Sequence, residues 1–220
     1  MTGNTHMSLG VAAGAAAAAI TGVGADPEAM AWTVVASSIG AMLPDIDEDG
    51  SMLNNLLFKS IQYRSAALTV LGGIMVLLYF LKHVPLWTCL AGMYAMSVAF
   101  VPHRSITHSL LALGIVTGIT YLAAPDYSVA IAAGYISHLL ADAVTTGGVP
   151  FFWPWKKRWG LKDLGIKVRS GDKVDQVTGK LAMYGGSLAI LWMLFQGASP
   201  DAFLSGAADQ VKSIKGLFWG

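Results

Sequence analysis

The chain has 220 residues, 55% hydrophobic and only 12% charged, with a formal net charge of +1. Soluble domains carry about 25% charged residues, so this balance, with a mean hydropathy of +0.57, excludes an ordinary soluble globule and points to an integral membrane protein. The small net charge supplies no global basic field for nucleic acid. The single cysteine, Cys89, excludes an intramolecular disulfide and a Cys-rich zinc site.

Glycine, proline and charged residues punctuate the apolar stretches and predict helices near 7–24, 29–44, 65–82, 85–101, 106–124, 127–145 and 181–196. Each is about 16–20 residues long, near the span of a bilayer core. The first, "MSLGVAAGAAAAAITGVG", has some features of a signal peptide. It lacks a basic start and precedes further spans, so it reads as a retained helix whose Ala and Gly admit a close neighbour. The second, "MAWTVVASSIGAML", is short and reads as tilted or partly inserted. Residues 45–64 form a polar loop with a short helix expected at 51–60, and 146–180 form a longer loop rich in Gly, Trp and Lys. Residues 200–220 form a mildly amphipathic tail, with Lys212 and Lys215 on its polar side, suited to the membrane surface. The expectation is one all-α, polytopic transmembrane bundle of six to seven spans over 1–199, followed by that tail.

Orientation follows from the basic residues. The 146–180 loop carries Lys156, Lys157, Arg158, Lys162, Lys167, Arg169, Lys173 and Lys180 against Asp163, Asp172 and Asp175. The positive-inside rule makes it cytoplasmic. Counting back, the 45–64 loop, the 102–105 connection and the N-terminus are cytoplasmic too. The run "WKKRWGLK" reads most simply as an interfacial anchor, with Trp153, Trp155 and Trp159 at headgroup depth. Glu48 and Asp49 read as solvated loop charges, and the methionines within spans as packing or lipid-facing residues.

The polar residues beside the helices sort to one side. His6 stands at the inner end of the first helix, and Asp45 and Asp47 follow the second in "LPDIDEDG". His103, Arg104 and His108 open the fifth, and His138 and Asp142 lie near the inner end of the sixth. This parity survives inversion of the whole protein. Of the five histidines only His83 falls on the other side. His138 and Asp142, at i and i+4, share a helix face. His103 and His108 would diverge by about 140° on one continuous helix. They converge if His103 precedes the helix and His108 lies in its first turns, with Ser105 or Thr107 as the cap.

Ionisable groups beside a span are expensive and usually functional. Imidazoles mixed with carboxylates suit a divalent metal, zinc in first place, with manganese and iron also admitted. The expected ligands are His6, Asp45, Asp47, His103, His108, His138 and Asp142. That set is large enough for two ions roughly 3.5–4 Å apart. Arg104 would hold a phosphate or carboxylate by a two-pronged contact.

Four motifs, "LPDIDE", "PHRSITHSLL", "GYISHLLADAVTTGGVPFFWPW" and "RSGDKVDQ", together resemble the YdjM-type inner-membrane, metal-dependent hydrolases, a bacterial family described as LexA-regulated. The resemblance covers about residues 1–180. It implies a multi-pass protein of the bacterial inner membrane and, through a distant similarity to the helical zinc-dependent phospholipase C and P1 nuclease group, phosphoester hydrolysis. Access from the inner leaflet favours a phospholipid or lipid-linked phosphate, with membrane lipid as partner, and leaves a soluble phosphoester as the alternative. It carries over His6, Asp45, Asp47, His108, His138 and Asp142 as ligands, with His103, and matches Arg104 to the family's HR pair. Where the family often has Glu, this chain has the shorter Asp175, expected as ligand or base. Trp153 and Pro154 match an aromatic-Pro feature that shapes the mouth. Two rival readings remain: a cation transporter, against which the near absence of polar residues in the outer halves of the spans counts, and a membrane scaffold with a structural metal.

Overall fold

Seven α-helices organise the computed structural model, which describes residues 1–48, 51, 64–102, 104–165 and 168–196. They are α1 (Gly3–Thr21), α2 (Pro27–Met42), α3 (Arg64–Lys82), α4 (Leu86–Val98), α5 (Leu110–Ala123), α6 (Ser128–Val144) and α7 (Lys173–Gln196). Short 3-10 turns at Leu43–Asp47, Ile106–His108, Pro125–Tyr127 and Leu161–Leu164 connect or extend them. Among the described residues there is no β-strand, only two isolated bridges. The expected short helix at 51–60 and the tail 200–220 lie outside the described residues.

Among the described residues, four helical stretches are long and apolar enough to cross a membrane: Pro27–Asp47, Ser65–Lys82, Pro125–Val144 and Lys173–Phe195. Leu86–Val98 and Leu110–Ala123 are shorter apolar helices. The all-helical, multi-pass architecture expected from composition is therefore present.

Local chemistry sets the helix ends. Asp26 caps α2, its Oδ1 accepting from the N–H of Glu28 at 3.0 Å and of Ala29 at 3.2 Å, with Pro27 next in line. α7 begins at Lys173 rather than near 181. The side chain of Asp172 caps it by accepting from Asp175 N at 2.9 Å, so the eight residues 173–180, expected in the loop, are helical.

α1, α2 and α6 pack on one another and α7 backs α1, while α3 pairs with α4 and α5 links α4 to α6. Small residues make the central trio close. A Cβ on Gly10 would stand 2.7 Å from the Cα of Ser38, and one on Gly134 would stand 2.8 Å from the nitrogen of Ala41. Both distances are below van der Waals contact, so these crossings tolerate only glycine. The main apolar core, Ala112, Val116, Ile131, Tyr135, Leu139 and Val149, lies along α5 and α6. The start of α1, the end of α2, the start of α5 and the end of α6 meet at one end of the bundle, as the parity of the polar residues requires.

Candidate metal centre

Each element delivers its side chains by a local device. After α2, Pro44 lies in the 3-10 turn Leu43–Asp47, which carries Asp45 and Asp47 toward the bundle end. On α6 the i, i+4 spacing turns His138 and Asp142 inward, both buried. His6, also buried, sits one turn into α1. His108 does not lie inside α5. It belongs to the 3-10 turn before it, and the cap is Ser109, not Ser105 or Thr107. Ser109 Oγ accepts from Ala112 N at 3.2 Å and donates to the carbonyl of Ile106, which leaves Thr107 for another task. His103 lies outside the described residues.

The side chains from α1, the α2 end, the α5 approach and α6 converge. His138 Nε2 is 3.2 Å from His108 Nε2. Asp45 Oδ1 lies 3.4 Å from His108 Nε2 and 3.5 Å from His138 Nε2. Asp142 Oδ2 lies 3.7 Å from His108 Nε2 and 4.0 Å from His138 Nε2. His6 stacks on His138 with ring centroids 3.7 Å apart and places Nε2 3.3 Å from Asp142 Oδ1. Two donor groups, His6–Asp45–His138 and His108–His138–Asp142, each have their ligand atoms within 4.8 Å of one another and share His138.

The hydrogen bonds behind these rings assign the tautomers. His138 Nδ1–H donates to the carbonyl of Ala41 at 2.8 Å, so Nε2 carries the lone pair. The Thr107 hydroxyl donates to Asp47 Oδ2, so its oxygen accepts from His108 Nδ1–H at 3.0 Å, and the His108 lone pair is also on Nε2. Two imidazole lone pairs and two carboxylates thus face one small space, and of the two carboxylates Asp142 has the Arg104 guanidinium against it. His6 Nδ1 is also buried with no hydrogen-bond partner among the described residues. The donor set fits a divalent metal with mixed nitrogen and oxygen ligands.

The remaining expected residues have distinct places. Asp47 is buried on the far side of His108, where it takes the Thr107 hydroxyl and lies 3.9 Å from Nδ1. It faces the back of the ring rather than the converging Nε2 atoms. Arg104, with a left-handed backbone (φ 58), lays Nη2 2.9 Å from Asp142 Oδ2. Its guanidinium fills the space where a Cβ on Gly147 would fall, and its Nε is buried with no hydrogen-bond partner among the described residues. Asp175 lies outside both donor groups. Its Oδ2 accepts from Thr2 N at 2.9 Å and Gly171 N at 2.6 Å, and its carbonyl accepts from the Thr5 hydroxyl at 3.3 Å. It thereby ties α7 to the turn of α1 that carries His6. The amino nitrogen of Met1 also contacts Asp142 Oδ1.

Sequence reading missed three supports. Thr107, adjacent to His108 and a cap candidate by sequence, instead holds both Asp47 and the His108 ring. Tyr135, one turn before His138, is fully buried and donates its hydroxyl to the Thr107 carbonyl. Its spacing from His138 was the available signal. The carbonyl of Ala41 carries no side-chain signature at all.

The model of the YdjM inner membrane protein family matches residues 1–201. Inner membrane protein YdjM of Escherichia coli (strain K12) is 41% identical over 66 residues, which cover 27% of this chain and 34% of that protein. The protein of the same name from Shigella flexneri matches to the same extent. These alignments span about a third of the length of either YdjM-named relative. A Bacillus subtilis (strain 168) protein, uncharacterized protein YvsG, is 28% identical over 202 residues, 90% of this chain and 98% of that one. No solved structure matches.

Proposed function

The chain belongs to the YdjM inner membrane protein family, and on that premise we propose that it is a membrane-embedded, metal-dependent hydrolase of phosphoesters. The observation that carries the reading is the 3.2 Å approach of His108 Nε2 to His138 Nε2, with both Nδ1 atoms committed to hydrogen bonds behind them. His6, Asp45, His108, His138 and Asp142 are the residues to hold the metal, zinc in first place, with His138 shared if two ions bind. A bound divalent ion supplies Lewis acidity and a water that is acidic enough to react near neutral pH.

The protein's own groups divide the rest of the work. Asp45 is the more open carboxylate, its side chain 15% exposed against 1% for Asp142. Its Oδ1 faces the imidazoles, and its other oxygen takes the proton of an attacking water as the P–O bond to the leaving group breaks, then returns it to the departing oxygen. Arg104 has a buried Nε to offer a phosphate oxygen while Nη2 stays on Asp142, and it steadies charge that develops on the ester. Asp47 and Thr107 hold the His108 ring, and Asp175 positions α1. The basic residues of 146–180 favour a cytoplasmic location for this end, and a phospholipid or lipid-linked phosphate is the substrate class that reaches a site at that depth.

A structural metal is the competing reading, favoured by the near-complete burial of His6, His108, His138 and Asp142. Turnover separates the two. The purified, metal-loaded full chain is expected to hydrolyse phosphodiesters, and Arg104→Lys is expected to lower kcat by about a hundredfold with metal retained. Metal retention with no turnover by the wild-type protein on phosphomonoesters, phosphodiesters or phospholipids would leave only the structural reading.

A further inference from the structure

The segment after α6 is a pinned hairpin rather than a loose loop. Val149 N donates to Trp159 O at 2.8 Å and Trp159 N to Val149 O at 2.9 Å, closing residues 150–158 into a loop. Inside it Trp153 N donates to Pro150 O at 3.1 Å and Trp155 N to Phe152 O at 3.0 Å. A parallel bridge from Thr145 to Val168 fastens its base to the end of α6. The membrane-capable stretch of α6 ends at Val144, so the hairpin begins where apolar span gives way to polar chain.

What this rigid hairpin presents is unusual for a surface facing water. Phe152, Trp153, Trp155 and Trp159 are exposed, Trp155 at 74%. Lys156, Lys157 and Arg158 are exposed among them, and no acidic residue falls within 150–159. Lys157 Nζ lies 4.0 Å above the Trp159 ring, and Phe152 meets the same ring edge-on at 6.2 Å. Amphipathic indoles favour the headgroup layer. Three cations with no acidic residue among 150–159 complement an anionic surface, and each gains attraction near it. We propose that the 150–159 hairpin is a lipid-reading platform that seats on anionic phospholipid headgroups.

The platform is built into the wall of the polar centre. Phe151 O accepts from Leu110 N at 3.0 Å, two residues past His108, and Gly147 accommodates the Arg104 guanidinium. Seating the hairpin therefore holds the mouth of that centre at headgroup depth. The proposal needs no bound metal and no turnover, so it stands or falls separately from the catalytic reading.

The test uses the full chain in lipid nanodiscs of phosphatidylcholine alone or mixed with phosphatidylglycerol. The emission difference between wild type and Trp155→Phe isolates Trp155. That component should be quenched by phospholipids brominated near the headgroup and shielded from aqueous acrylamide. In a second measurement, phosphatidylglycerol enrichment over phosphatidylcholine is read from lipid retained on detergent extraction. The Lys156→Gln, Lys157→Gln, Arg158→Gln triple variant should lose that enrichment by roughly tenfold or more. Acrylamide access to Trp155 without bromolipid quenching would overturn the proposal. So would shielding from both quenchers, which marks a protein partner, or an unchanged lipid preference in the triple variant.

Discussion

α6 and α3 are both apolar helices long enough to cross a membrane, yet half of the α6 stretch is buried inside the protein against 17% of the α3 stretch. α6 carries buried Ser128, Tyr135, His138 and Asp142, each polar group matched by a neighbour. α3 turns Val70, Leu77, Phe80 and Leu81 outward. The difference teaches that apolar composition alone does not say what a helix faces. Buried polar groups with assigned partners mark the helix enclosed by protein. Large exposed aliphatics mark the one left to lipid, where polar groups have no partner to offset their cost.

The sharpest way to break this contrast is to remove the shared ligand from α6. His138→Ala takes one donor from both groups at once. Since the outer partners of metal ligands alone account for about tenfold to a hundredfold in affinity, this change should lower metal affinity by more than about a hundredfold in isothermal titration. The next largest effect is steric. Gly134→Leu drives a side chain into the backbone of α2 and should destabilise the fold by about 3 kcal/mol in thermal unfolding in detergent. Gly73 on α3 has nothing within 4 Å of where a Cβ would stand, and Gly73→Leu should leave the Tm nearly unchanged. Equal losses at the two positions would erase the distinction between the helices.

Much of this contrast was legible in the chain. The i, i+4 pair His138 and Asp142 announces its face because a helix has one period and both residues are costly in lipid. The parity of span ends puts His6, Asp45 and His108 at the same level from the sequence alone. The failures have physical reasons. α7 begins at Lys173 because Asp172 caps it, and a polar first turn is invisible to a reading based on apolarity. His108 precedes α5 because Ser109 supplies the cap, one of several hydroxyl residues in "SITHS" equally able to do so. Asp45 and Asp47 are two residues apart and chemically identical. Only the 3-10 turn and the Thr107 hydroxyl decide that one faces the converging imidazoles and the other the back of a ring.

That last distinction gives a smaller prediction. Asp47→Asn or Thr107→Val loosens the His108 ring without removing a converging donor, and should weaken metal binding by about tenfold with the fold intact by circular dichroism. A loss as large as that of His138→Ala would make Asp47 a ligand after all.

The smallest effect concerns Asp172, just outside the α7 span. The N–H groups of Asp175 and Arg169 hold its carboxyl below the usual aspartate range. A lowered folded-state value means that its contribution is complete above the unfolded value of about 3.9 and is lost as pH falls through the folded one. Asp172→Asn should therefore lose slightly less Tm on acidification than the wild type. A steeper loss in the variant would contradict the capping role.

Metal content of the full chain tests the convergence of His6, Asp45, His108, His138 and Asp142 most directly. Wild type and His138→Ala are loaded with zinc, desalted in detergent and compared by elemental analysis, both shown folded. Wild type should retain about one zinc ion or more per chain and the variant almost none. Equal retention by the two proteins, or no retention by the folded wild type with zinc, manganese or iron, would contradict a metal centre at these side chains.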